Sequence, residues 1–457
     1  MNDSLVSARI VAEERAHEPP PGTVAVAESP AVRRQRAATI AALVIGYAGY
    51  YLCRSNLSVA APLIVADLGG AGIDEKAIGA FASASVLVYA LGKAVSGVTV
   101  DFLGGRTPFL AAMLGSVLCT WWFGLSSGFA MMLGAWCLNR LLQSTGWAAV
   151  LKISSNWFSY ERYGHLMAIL SLSWLFGDAV GRFFLGRLIA AGLGWRGVFW
   201  VAGGVLAAIW VLCMLLVRET PEDVGGGAGR VNPNNLFGEA GEVRKAESLR
   251  GLLAPYLRSV SFWAVLGMCF SLTFIRETFN LWLPSWLTTA TGITAGEAAQ
   301  YSSLFPFFGG VSVVLCGWVS DRWLHGRRGP VMALPLVGLV AVLHLMGRYT
   351  SGLTVSTAMV LVGLSGMLMI GPYSFMGSAI SLDLGGRHGS ATAVGIIDLV
   401  GYGAASLSGY GVGAIARAQG WHAAFSLLSG LSVLAVFAAS FYWYRHEVVE
   451  RRLTPRP

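Results

Sequence analysis

Apolar stretches long enough to cross a hydrocarbon core about 30 Å thick recur along nearly the whole chain after residue 36, separated by short polar breaks. They predict twelve helices, at about 37–63, 77–100, 107–125, 128–152, 162–191, 195–217, 258–288, 297–320, 330–348, 352–382, 388–417 and 421–444. Residues 1–36 hold PPPG and scattered charges without an apolar run, and are expected to form a disordered tail. A second polar stretch, Arg218 to about Leu253 with VGGGAGRVNPNN inside it, reads as a flexible linker. The pattern therefore predicts an all-α membrane protein: a six-helix bundle over 37–217, a cytoplasmic linker over 218–257, a second bundle over 258–444 and a tail over 445–457.

The second bundle repeats the first. Arg54 and Arg276 are 222 positions apart, Asp101 and Asp321 of two Gly-x-x-x-Asp turns are 220 apart, and WRGVF at Trp195 returns as WHAAF at Trp421 after 226. Three landmarks at nearly one displacement indicate two homologous halves. In carriers built this way the binding site lies near the membrane midplane, where equivalent positions of the halves meet.

Composition supports the membrane reading, since 55% of residues are hydrophobic and only 12% charged, with a mean hydropathy of +0.62. The net charge of +8 is not a nucleic-acid surface. Its basic residues collect in the N-terminal tail (Arg33, Arg34, Arg36), at Arg106, at Lys152 and Arg162, in the linker (Arg244, Lys245, Arg250), at Arg322, Arg327 and Arg328, and at the C-terminal end (Arg445, Arg451, Arg452). Such segments alternate with weakly basic ones, and the positive-inside rule then places both termini and the linker in the cytoplasm. The six cysteines sit in apolar spans without metal-ligand spacing and read as packing residues; no metal or cofactor is expected.

Charges inside the spans carry the candidate chemistry. Arg54, in GYAGYYLCRSN, and Arg276, in SLTFIRETFNLWLP, are permanently charged guanidiniums in apolar surroundings and need an anion or a wet cavity. Their matched positions predict that they face each other and bind an anion, with planar forks suited to phosphate oxygens. Glu277 points about 100° away from Arg276 and is not expected to neutralise it. Lys93 shares a helix face with Tyr89 and is expected to point inward. Asp178 and Arg182 are spaced to pair with each other, whereas Asp398 has no basic neighbour nearby in sequence. Asp398, Glu277, Asp178 and the buried cation Arg140 are candidates for proton coupling or for ion-pair exchange. Asp101 with Arg106, and Asp321 with Arg322, are expected to form tight cytoplasmic gate turns in which a carboxylate caps a helix and an arginine anchors it. Trp282, Trp286 and Trp421 are expected in an interfacial belt.

The duplicated Gly-x-x-x-Asp turns on a twelve-helix plan resemble the major facilitator superfamily. More narrowly, GYAGYYLCRSN, YALGKAVSG, GWAAVLKISSNWFS, the arginine of SLTFIRETF and the Gly371-Pro372 of IGPYSF resemble its organophosphate:phosphate antiporters. The resemblance implies a carrier, not an enzyme, that exchanges an organic phosphate for inorganic phosphate by rocking of its halves. It implies Arg54 and Arg276 as the phosphate-binding pair, Lys93 as a supporting cation, and Tyr47, Tyr51 and Tyr89 as lining residues. The expected partners are a small anionic substrate and the lipid bilayer, with the chain a monomer in a bacterial inner membrane. Arg140 with Gln143 is more like the motif of proton-linked facilitators, so a proton-coupled symporter of carboxylates stands as the alternative.

Overall fold

The computed structural model describes residues 29–449 apart from Arg244, Thr294 and His325, and leaves out the side chains of some helix residues, Glu75 and Tyr410 among them. The expected disorder of residues 1–28 and the arginines of 450–457 lie outside the described residues. The first helix, α1, spans Pro30–Leu68 and so starts within the expected tail. Ser29 accepts a hydrogen bond from the Val32 amide at 3.3 Å, and Pro30 occupies a first-turn position where its missing N–H costs nothing.

The first half continues with α2 (Glu75–Leu103), α3 (Arg106–Leu125), α4 (Phe129–Gln143), α5 (Thr145–Trp157), α6 (Tyr163–Ala190) and α7 (Trp195–Leu216). A short α8 (Leu249–Arg258) follows the linker. The second half comprises α9 (Val260–Thr291), α10 (Ala295–Ser302), α11 (Leu304–Arg322), α12 (Gly329–Arg348), α13 (Val355–Phe375) and α14 (Ser381–Tyr442). Helix α14 is interrupted at Gly386 and Gly420, whose φ values of +55° and +80° suit a residue without a Cβ. Among the described residues, nine helical stretches are long and apolar enough to cross a membrane. The stretches 129–157 and 163–190, which carry Arg140, Lys152, Asp178 and Arg182, are helical as well.

The repeat is visible in contacts. Trp195 Nε1 donates to Asp67 at 2.8 Å, and Trp421 Nε1 donates to Thr289 at 3.3 Å. Asp67 and Thr289 are 222 positions apart, the displacement of the two arginines. The belt expected for Trp282 and Trp286 is a misreading. Trp286 is buried against Phe425, and Trp282 donates to the Gly409 carbonyl, because both face their own bundle.

On the side of the linker the halves are locked together. Helix α2 packs on α14 and α6 packs on α11. A Cβ on Gly97 would meet the Ala391 carbonyl and come within 3.2 Å of Gly395 Cα, and one on Gly317 would lie 2.8 Å from the Gly164 carbonyl. The first glycine of each Gly-x-x-x-Asp turn is thus the point where backbones of opposite halves cross. Gly97→Leu is expected to keep this face from closing. Spin labels at the exposed positions Leu103 and Trp323 should then move apart, and an unchanged distance would count against the crossing as a requirement.

The two aspartates reach across the same face. Asp101 accepts from the Thr392 amide and from Lys152 Nζ, both at 2.7 Å. Asp321 accepts from the His165 amide at 2.6 Å and from Arg328. Each half therefore places a carboxylate on backbone N–H groups near a helix start of the other half, where the helix dipole favours negative charge. This corrects the expected gate turns. Arg106 does not pair with Asp101; it donates to the Met214 and Val217 carbonyls at the end of α7, and its amide is capped by Glu219 at 2.6 Å. Arg322 is exposed, and the buried Arg328 takes the anchoring place with Asp321 and Asp383.

The linker is ordered, because its backbone finds partners in both halves. The Tyr160 amide donates to the Arg230 carbonyl at 2.9 Å and the Ala246 amide to the Asp101 carbonyl at 3.0 Å. The Leu236 amide donates to the Leu384 carbonyl at 2.9 Å, and Tyr256 Oη to the Gly389 carbonyl at 2.6 Å. Residues 445–449 likewise continue the last helix, and Glu447 caps α12 through the amides of Arg328 and Gly329.

Candidate functional site

Arg54 on α1 is met by side chains from α2, from α4 and from its own helix. Its Nε donates to Gln143 Oε1 at 3.2 Å and an Nη to the Tyr89 hydroxyl at 3.2 Å, and its Cζ lies 4.3 Å from the Tyr51 ring centroid. Gln143 is aimed by its own bonds: its Nε2 donates to Ser116 and Asn139, which leaves Oε1 for the arginine. Among the described residues no carboxylate pairs with Arg54. Tyr47 is buried edge-on against Tyr50 and Tyr51 and beside Trp147, so it backs the wall.

Arg276 on α9 lies under the Tyr373 ring, 4.5 Å from its centroid. It does pair with Glu277, its Nε donating at 2.9 Å, contrary to the expectation from helix geometry. The directions of adjacent Cα–Cβ bonds diverge, but the long arginine stem folds sideways far enough to meet the shorter carboxylate. The pair is about a quarter exposed, and Asn280 also donates to Glu277.

Lys93 points inward and is buried, as its face predicts. It is paired with Asp398 of the other half at 2.8 Å. One turn away on each helix, the Tyr89 and Tyr402 rings meet edge-on at 5.3 Å. The two i, i+4 pairs, Tyr89/Lys93 and Asp398/Tyr402, thus dock face to face, and Tyr402 lies within electrostatic reach of both Arg54 and Arg276. Sequence reasoning passed over Tyr402; its spacing from Asp398 was the available signal. Asp178 pairs with Arg182 at 2.9 Å and accepts from Ser55 at 2.6 Å. Both side chains are well exposed, and charges on a spanning helix that are not buried belong against water rather than lipid.

The profile of the Major Facilitator Superfamily matches residues 43–409. The chain belongs to that superfamily. Within it, the chain is 26% identical over 403 residues to the probable hexose phosphate transport protein of Chlamydia muridarum, covering 86% of this chain and 87% of the other. It is 25% identical over 424 residues to the glycerol-3-phosphate transporter of Bacillus subtilis, covering 90% and 93%. A solved structure of the E. coli fucose:proton symporter superposes with a TM-score of 0.65 at 13% identity, covering 88% of this chain and 98% of that one. This superfamily member is an integral membrane transporter.

Proposed function

We propose that the chain exchanges a small organic phosphate for inorganic phosphate by alternating access. The observation that carries this reading is the unequal state of the repeated arginines. Arg54 is held by a neutral amide and a phenol, and Arg276 by the Tyr373 ring and one displaceable carboxylate, Glu277. Such forks are ready to close on an anion as it arrives, and phosphate offers oxygens for both. Relatives named as phosphate-ester transporters over nearly their full length support the same substrate class.

In this reading Arg54 and Arg276 bind the phosphoryl group, Tyr51, Tyr89 and Tyr402 wall it, and Lys93–Asp398 seals the floor beneath. On the same reading the chain crosses a bacterial inner membrane twelve times with both termini and the linker in the cytoplasm, an orientation that Arg106, Lys152, Arg162, Arg327 and Arg328 on the locked face support. The molecule then faces outward, and acts as a monomer. Asp398 and Asp178 each have a cationic partner, which speaks against a proton-coupled symporter, since a solitary carboxylate would be the carrier of the proton.

Purified protein in phosphate-loaded liposomes is expected to take up labelled phosphate in exchange, with glycerol or hexose phosphates competing. No exchange and no competition would sink the reading. Uphill uptake driven by a pH gradient into liposomes without internal anion would replace it with the symporter.

A further inference from the structure

We propose that Arg140 is a third arginine of the binding site, and that together with Arg54 it makes the first half select oxyanions in their doubly charged form. The inference deepens the phosphate reading, and its chemistry can be tested with an anion other than phosphate.

Arg140 and Arg54 approach the same ring. Each guanidinium carbon lies 4.8 Å from the Tyr89 centroid, so the two carbons are separated by at most twice that distance. Nε and Nη1 of Arg140 are buried and, among the described residues, have no hydrogen-bond partner. Leaving donors of a charged group unmet in a buried place is costly, and a guanidinium cannot shed its proton to escape the cost. A site that strands these donors is complete only with an acceptor in it.

The surrounding charges fix the size of the guest's charge. Facing Tyr89 and the two arginines are Tyr51 from α1, Lys93 from α2, Gln143 from α4, and Asp398 and Tyr402 from α14. Lys93 is neutralised by Asp398, and Arg276 by Glu277. Arg54 and Arg140 are left without a carboxylate among the described residues, so two positive charges remain uncompensated. A dianion with oxygens toward both forks cancels them, whereas a monoanion leaves one guanidinium buried alone. Arg140 was a candidate for proton coupling on its motif; the geometry gives it a ligand instead.

The pH dependence follows from the guest. A phosphate monoester loses its second proton near pH 6, roughly, so the form that matches the site is scarce below that value and prevalent above it. Sulfate is doubly charged throughout this range, so its binding carries no such slope.

The test is equilibrium binding to the intact, purified chain, by titration calorimetry and thermal shift, from about pH 5 to about pH 8. Glycerol 3-phosphate is expected to bind about tenfold more tightly at the upper end, while sulfate binding stays flat. Arg140→Gln should weaken sulfate by about thirtyfold and flatten the glycerol 3-phosphate slope, because one uncompensated arginine is satisfied by a monoanion. Arg140→Lys should bind both more weakly yet keep the slope, since it keeps the charge. Sulfate bound equally by wild type and Arg140→Gln, or a phosphate-ester slope absent in the wild type, would overturn the proposal. If Arg140→Gln does not fold, a flat slope in Arg140→Lys does so too. Failure of exchange in liposomes together with the expected sulfate pattern would remove the transport reading and leave the dianion site standing. Normal exchange without that pattern would do the reverse.

Discussion

Arg54→Lys is expected to lower phosphate exchange about a hundredfold in the liposome assay while leaving the protein folded. The guanidinium makes two directed bonds, to Gln143 and Tyr89, that set its fork toward the guest. Lysine keeps the charge, so the buried position stays tenable, but it presents a point charge on a shorter reach. Charge-assisted hydrogen bonds contribute roughly 1.5–3 kcal/mol each, and losing one or two of them at the guest gives the stated loss. An unchanged melting temperature with the lost rate is the expected pair of observations. Exchange at the wild-type rate would remove Arg54 from the site.

Asp101→Asn is expected to open the locked face. Lys152 and Asp101 are fully buried together, and the mutation strands the lysine cation among the Arg387 and His388 carbonyls. Breaking a buried pair by removing one partner costs about 3–5 kcal/mol, and here the cost falls on the closed state alone, since separation of the halves returns Lys152 to water. A bias of about 4 kcal/mol shifts a two-state equilibrium by roughly a thousandfold, enough to invert it. Labels at Leu103 and Trp323 should therefore report separation, and Lys152→Met in the same chain should restore closure. If the single variant stays closed, the carboxylate does not hold the face.

The sequence made the lone arginines, the repeat and the inward lysine legible because each is a local anomaly: a charge where lipid should be, or a motif that returns at a fixed distance. What it concealed are partnerships between halves. Asp398 reads as solitary because Lys93 is 305 positions away, and only docking of α2 on α14 brings them together. Arg328 replaces Arg322 at Asp321 for a similar reason, since choosing between two arginines six positions apart depends on which of them the fold buries. The Arg276–Glu277 contact escaped because helix geometry fixes where side chains start, not where a long, flexible arginine stem ends. The linker looked flexible from its glycines, yet Gly241 and Gly386 are where it nestles against α14.

That ordered linker also limits how far the carrier can swing. Arg230 is tied to the first half and Leu236 to the second, and the six residue-to-residue steps from one to the other reach at most about 20 Å when fully drawn out. While both ties hold, the tether sets a ceiling on the inner mouth's width, and a wider gape has to begin by peeling the strap from one bundle.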